Sequence, residues 1–309
     1  MSELSKRVHE TWTERFGLSF ETLSPSVYTD PAQFEAERDK IFRRYWLNLG
    51  RVSDIPRPGD YVFHDIPLLS KSVLLVHGRD GNIRAFHNAC THRANKLCQK
   101  FANQTEFTNT GNRKFFVCEF HGWTFDTQGA LVDIPDVENF RGIDQNKLGL
   151  KPVHLDIWEG FIFVNFAKEP HLTLEEQLGD VVDQVAGYPF ADDTRIFGYE
   201  GEVACNWKLS IDSQVEGYHA ATLHRRTLGN SLGGSDNPYI HMLDFKQLGL
   251  NQSLSMPSGK EPARGPVDAI ASKYSPSIRS YGLSRLKNLP KGINPTRSDR
   301  WAADIYFIF

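Results

Sequence analysis

Two short stretches of this 309-residue chain bring metal-ligating side chains together: Cys90-Thr91-His92 and Cys118-Glu119-Phe120-His121. Each pair mixes one thiolate donor with one imidazole donor. Two thiolates and two imidazoles can hold tetrahedral zinc. Zinc fingers usually pair like with like, Cys with Cys and His with His. A mixed pair on each loop suits an iron–sulfur centre in which each loop gives its Cys to one iron and its His to the other. Replacing two thiolates by neutral imidazoles makes such a cluster less negative and raises its potential. Each pair follows a predicted strand and sits on a turn. Trp123, just after the second pair, is placed to keep water away.

A second constellation lies downstream, in Glu216-Gly217-Tyr218-His219 and His224. A non-haem Fe(II) centre needs two His and one carboxylate on one face of the metal, leaving the opposite positions open. Glu216 and His219 are three apart, so on a helix they face the same side. His219 and His224 are five apart, about 140° around an ideal helix. A regular helix would not aim both at one metal, so a break or irregular turn is expected between them.

The elements that must position these groups are legible in outline. Asp30-Pro31 starts a helix, with Asp30 as N-cap and Pro31 at N1. Phe34, Ile41, Phe42, Tyr45 and Trp46 follow on one face. After Pro56 and Pro58 the texture changes to short strands. Ser72–His77 and Ile83–Phe86 flank an Asp80-Gly81 hairpin turn. Phe115–Val117, Trp123–Phe125 and Ala130–Val132 are three more, and Trp158 to Phe166 reads as one further strand. Thr173 and Glu176 form a capping box. It heads a helix whose Leu174, Leu178, Val181, Val182 and Val185 repeat at the helical period. From Tyr199 strands and helices mix. Residues 247–300 read mostly as loop, and Trp301 to Phe309 as an apolar strand.

Composition narrows the class. Hydrophobic residues are 40% and charged residues 24%, with a formal net charge of −3. That excludes a disordered chain and gives no basic excess for nucleic acid. No window is long and apolar enough for a membrane span, and the start lacks an apolar signal core. The cytoplasm is the expected compartment. Four cysteines are too few for a disulfide framework, which favours metal binding. Cys98 and Cys205 match no ligand position and are expected to be structural. Arg225-Arg226 reads as a solvated or ion-paired face, and the glycine-rich 229–234 lacks the strand-to-helix setting of a phosphate loop.

Taken in order, these motifs resemble the large (alpha) subunit of Rieske non-haem iron ring-hydroxylating oxygenases. The resemblance rests on Cys90-Thr91-His92-Arg93 and Cys118-Glu119-Phe120-His121-Gly122-Trp123. It extends through Trp46–Gly50, Pro58–Tyr61 and Gly160–Asn165 to Gly217–His224. It implies an α+β protein in three parts. Residues 1–46 would be a helical segment packing with the catalytic domain, 47–166 an all-β Rieske [2Fe–2S] domain, and 167–309 an α+β helix-grip catalytic domain. Cys90, His92, Cys118 and His121 would hold the [2Fe–2S] cluster, and His219 and His224 a mononuclear non-haem Fe(II). Glu216 takes the place of the bridging carboxylate, usually Asp, that links His219 to a cluster histidine, His121, of a neighbouring subunit. The implied partners are a reductase and a ferredoxin, a small beta subunit, O₂ and an aromatic substrate, in a homotrimer.

There are departures from the family pattern. The gap of 25 residues between His92 and Cys118 is long, and its polar surplus, Ala102–Glu106, reads as an inserted surface loop. Ala94 stands where the family normally has Gly. Asp212-Ser213 stands where many relatives have Glu-Asn. The third iron ligand, an Asp on a long helix, has no matching motif among Asp236, Asp244, Asp268, Asp299 and Asp304. The expectation is a chain that stops before that ligand, as a fragment or a degenerate subunit. The alternatives are a Rieske demethylase or quaternary-amine monooxygenase, an inactive electron-transfer or metal-binding subunit, and a zinc-binding module.

Overall fold

In the computed structural model the described residues are 11, 14, 17, 19, 21–99, 109–186, 190–192, 201–226, 238–242, 244–258 and 301–308. The chain divides into two compact units: Ala36–Leu174 with Pro189–Arg195, and Met1–Glu35 with Glu175–Tyr188 and Ile196–Phe309.

The first unit is built on antiparallel strands. Seven of them form one sheet: β1 (Leu47–Arg51), β2 (Asp60–Ile66), β3 (Lys71–His77), β4 (Ile83–His87), β5 (Thr110–Asn112), β9 (Pro152–Trp158) and β10 (Phe161–Asn165). The order across the sheet is β1-β10-β9-β4-β3-β2-β5. A second sheet is the meander β6 (Phe115–Val117), β7 (Thr124–Asp126) and β8 (Leu131–Asp133). β3 explains its own apolar run. Val73 and Leu75 pack with Ile55, Val62, Ile162 and Val164 on one side of the sheet. Leu74 and Val76 pack with Phe86, Phe116 and Phe125 on the other. Successive side chains point to opposite faces, and both faces of β3 are buried, so the period-two alternation disappears.

Cys90, Cys118 and Trp123 belong to that second core, alongside Phe116, Phe125 and Leu131. The cysteine loops thus grow out of a rigid, water-excluded base. Thr91 ties the first loop down further by donating to the carbonyl of Leu148 at 2.6 Å. Trp46 anchors the start of β1 by donating its indole N–H to Leu172 O at 2.9 Å.

The expected strand over 158–166 is β10 with a turn at its start, which joins it to β9 as a hairpin. Trp158 ends β9, Glu159 and Gly160 turn with φ of 48° and 77°, and Phe161 opens β10. The apolar residues Trp158 and Phe161 flank the turn, so the run concealed it.

In the second unit, Asp30 accepts from the N–H of Ala32 at 2.8 Å. It caps helix α2 (Pro31–Glu37), which follows a single turn, α1 (Ser26–Thr29). The expected continuous helix after Thr173 is two short ones, α3 (Leu174–Leu178) and α4 (Val181–Gln184). Gly179, at φ 51°, ends the first. Asn251 donates its amide to the carbonyls of Gln177 and Leu178, at 2.7 and 3.0 Å, satisfying that helix end. Leu174, Leu178, Val181 and Val185 are buried as the period requires.

Residues 244–258 correct the loop reading of 247–300 at its start. They form the hairpin β11 (Asp244–Leu248) and β12 (Asn251–Ser258), and β13 (Trp301–Phe307) pairs antiparallel with β12. The remainder of that stretch lies outside the described residues, as does the Ala102–Glu106 insertion. Two further helices, α5 (Trp207–Asp212) and α6 (Ala220–Leu223), flank the downstream motif. Among the described residues no helix is long and apolar enough to cross a membrane.

Candidate metal centres

The two cysteine loops have the same backbone. In the first, the N–H of Ala94 donates to Cys90 O at 2.8 Å and the N–H of Cys90 to Asn95 O at 2.8 Å. In the second, Gly122 donates to Cys118 O at 2.8 Å and Cys118 to Trp123 O at 2.8 Å. Each turn therefore places its cysteine at the first position and a left-handed residue at the fifth. Ala94 has φ 59° and Gly122 φ 76°. The histidines fall at the third position in one loop and the fourth in the other. That is why the two spacings differ although the loops match.

The four side chains segregate by type. Cys90 and Cys118 are both buried in the same core, and the Cys118 thiol is near enough to act on that of Cys90. The rings of His92 and His121 are 4.6 Å apart. A [2Fe–2S] group with thiolates on one iron and imidazoles on the other needs this division, whereas a single zinc needs all four donors around one point. Nδ1 of His92 is buried without a hydrogen-bond partner, as a nitrogen reserved for a metal would be. Desolvation, then the neighbouring His121 and Arg93, hold His92 below the ordinary imidazole range. The neutral form is the one that ligates. Burial raises the Cys90 thiol, partly opposed by the backbone N–H groups of His92 and Arg93, and the Cys118 thiol raises it again. These residues fit the cluster.

Aromatic groups wall this site. Trp123 stacks on His92, 4.8 Å between centroids and 11° between planes. Phe140 meets both rings edge-on. His121 and the adjoining Phe120 are exposed, Phe120 by 61%, so the histidine side of the site reaches the surface. Cys98 lies in the same core. Burial pushes its thiol up to about 11, with Arg113 opposing. Cys205 is exposed.

Ala94 carries a cost that Gly122 does not. A left-handed alanine is disfavoured by roughly 1–2 kcal/mol relative to the right-handed state. Its methyl group is exposed, so nothing clashes. A Cβ on Gly122 would come 2.9 Å from Pro135 Cγ, so alanine is excluded there. Ala94→Gly should raise stability by about 1 kcal/mol, read as an upward shift in Tm of the cluster-loaded protein. An unchanged or lower Tm would contradict this account of the loop.

At the downstream motif, Glu216 and His219 meet, but not on a helix. Glu216 precedes α6, and His219 is the residue at its start. The Glu216 carboxylate takes the ring Nδ1 of His219 through Oε1 and the backbone N–H of His219 through Oε2 at 3.1 Å. With Nδ1 occupied, Nε2 of His219 is the nitrogen left for a metal. α6 is only four residues long, and His224 closes it at φ −96°, ψ 11°. The rings of His219 and His224 stand 5.2 Å apart at 73°. A Cβ at Gly217 would lie 2.5 Å from Ile240 O, so this turn is built on the absence of a side chain there. Asn206 caps α5 through Lys208 N–H at 3.0 Å. At the other end of that helix Asp212 accepts from Tyr28 Oη–H at 2.7 Å.

Among the described residues no carboxylate joins His219 and His224 as a third ligand, and no three His, Cys, Asp or Glu side chains converge on one ion position. Asp244 turns its carboxylate to the N–H of Phe245 at 3.1 Å. Asp304 lies in β13 opposite Ser255. Asp236, Asp268 and Asp299 lie outside the described residues.

Two family models cover the stretches that carry the two motifs. The family model "Rieske [2Fe-2S] domain" matches residues 45–151, and "Ring hydroxylating alpha subunit (catalytic domain)" matches residues 190–286. The chlorobenzene dioxygenase alpha subunit of Cupriavidus sp. (strain PS12) is 33% identical over 83% of this chain and 56% of that protein. The carnitine monooxygenase oxygenase subunit of Escherichia coli (strain K12) is 31% identical over 66% of this chain and 52% of that protein. A crystal structure of naphthalene 1,2-dioxygenase with indole bound superposes with TM-score 0.69 at 27% identity, over 89% of this chain and 62% of that one. The chain spans about half the length of the curated relatives it matches.

Proposed function

The chain belongs to the family of Rieske ring-hydroxylating oxygenase alpha subunits, and on that premise we propose that it is the oxygenase component of a multicomponent system. It would hydroxylate or cis-dihydroxylate an aromatic compound with O₂ and electrons from a reductase or ferredoxin. The cytoplasm is the proposed compartment, and a homotrimer, with or without a small beta subunit, the proposed assembly. The observation that carries the reading is the pairing of two identical turns that bring thiol to thiol and imidazole to imidazole.

Cys90 and Cys118 would hold the inner iron of the [2Fe–2S] cluster, and His92 and His121 the outer one. His219 and His224 would hold the mononuclear iron. When bound, the cluster supplies single electrons and the iron supplies the site of O₂ chemistry. The protein's part is positioning. Trp123 and Phe140 keep water from His92. Glu216 fixes the tautomer and orientation of His219, and would connect it to the exposed His121 of a second copy. Tyr218 and Tyr239, 5.6 Å between centroids and both exposed, offer ring faces for an arene to stack on.

A second reading is oxidation of a quaternary amine. Glu216 favours it, because the resemblance places Glu rather than Asp here in some quaternary-amine oxygenases. Tyrosine faces also attract quaternary ammonium groups. The test is turnover of the holoprotein with NADH, reductase and ferredoxin under ¹⁸O₂. An aromatic diol carrying ¹⁸O supports the first reading. Oxidation of a quaternary amine with no arene product supports the second. Electron transfer into the protein without any oxygenated product sinks both.

A further inference from the structure

The two cysteine turns are cross-braced, and one brace carries chemistry. Trp123, at the sixth position of the second turn, stacks on His92 of the first. Asn95, at the sixth position of the first turn, reaches the second. Its carbonyl accepts from Cys90 N–H at 2.8 Å. Its side-chain amide donates to Cys118 Sγ, with nitrogen and sulfur 3.8 Å apart. The same amide group donates to Lys96 O at 3.0 Å, which fixes its orientation. Asn95 thus contacts both cysteines, Cys90 at its backbone N–H and Cys118 at its sulfur. Cys90 receives backbone N–H groups from His92 and Arg93, whereas Cys118 receives a side chain that substitution can remove.

We infer that Asn95 is a positioning residue that sets the reduction potential of the cluster, through its amide hydrogen bond to Cys118 Sγ; the inference rests on the Rieske reading of the two loops. Reduction would make the cluster, and with it the field at its ligand sulfurs, more negative by one charge. A donor aimed at a ligand sulfur stabilises the more negative, reduced form and raises the potential. The amide is neutral, so the effect comes from a local dipole and survives added salt better than a surface charge would.

The experiment is a redox titration of the anaerobically purified holoprotein, following the EPR signal of the reduced cluster, in the wild type, Asn95→Leu and Asn95→Gln. Asn95→Leu keeps the branched shape of the side chain and removes the donor. It should shift the reduced-to-oxidised ratio at a fixed potential about tenfold toward oxidised, which is about 59 mV downward for a one-electron couple. Iron content and the form of the spectrum should not change. Asn95→Gln retains an amide and should recover at least half of the shift. A merely structural role would lower cluster content and leave the potential of the loaded fraction alone. An Asn95→Leu potential within twofold of wild type overturns the inference, as does a Gln variant no better than Leu. If the variants do not load, pulsed EPR on wild-type protein labelled with ¹⁵N only at asparagine side-chain amides decides. A resolved ¹⁵N coupling supports the bond, and its absence overturns it. A wild type with no Rieske signal instead removes the reading on which the inference stands.

Discussion

Cys118→Ser should remove the cluster completely: the purified variant is expected to be colourless, with no visible charge-transfer bands and no EPR signal after reduction. Cys118 is 2% exposed and lies in the core with Phe116, Trp123 and Phe125. No nearby side chain can take its place, since Cys98 is committed to the same core with its thiol near 11. Serine is a poor ligand at neutral pH, and it leaves a buried hydroxyl that costs about 1–3 kcal/mol unless it finds a partner. Cluster binding free energy is also folding free energy when ligands come from separate loops, so Tm should fall by more than the hydroxyl alone explains. The measurement is iron and sulfide per chain together with a melt. A Cys118→Ser variant that kept its full cluster would show that Cys118 is not a ligand. His219→Ala is the matched control, retaining the cluster spectrum.

The second large effect is at Glu216. Glu216→Gln should leave the cluster spectrum unchanged and lower turnover, or mononuclear iron affinity, by about 10–100-fold. The carboxylate accepts both the ring Nδ1 and the backbone N–H of His219. A glutamine has one acceptor oxygen and one donor nitrogen, so one of those two contacts is lost or becomes repulsive. The imidazole then loses its fixed tautomer and part of its basicity. Glu216→Asp keeps the charge and shortens the reach, and should retain more activity than Gln. Equal activity in wild type and Gln would remove Glu216 from the site.

The chemistry was more legible in the residues than the elements that carry it. The two Cys-His pairs, the Asp30 cap and the Asp80-Gly81 turn each depend on local contacts, and local contacts leave local signals. The equivalence of the two turns does not, because it lies in backbone hydrogen bonds, and the spacings C-x-H and C-x-x-H suggest two different loops. Only the fifth positions, Ala94 and Gly122, hint at a shared left-handed residue. The helix after Thr173 kept its period through Val185, and its break at Gly179 was hidden because buried residues continue on both sides. The β11–β12 hairpin was missed because Asn251 and Ser253 are buried polar residues, so no apolar alternation marks it. Glu216 and His219 do meet at the expected separation of three, through a turn rather than a helix.

The most direct test of the central claim is low-temperature EPR of the anaerobically purified chain after reduction, with metal and sulfide analysis on the same sample. The account predicts a rhombic signal of a histidine-ligated [2Fe–2S] cluster that disappears in Cys90→Ala and Cys118→Ala. A colourless, EPR-silent protein holding one zinc per chain would contradict it.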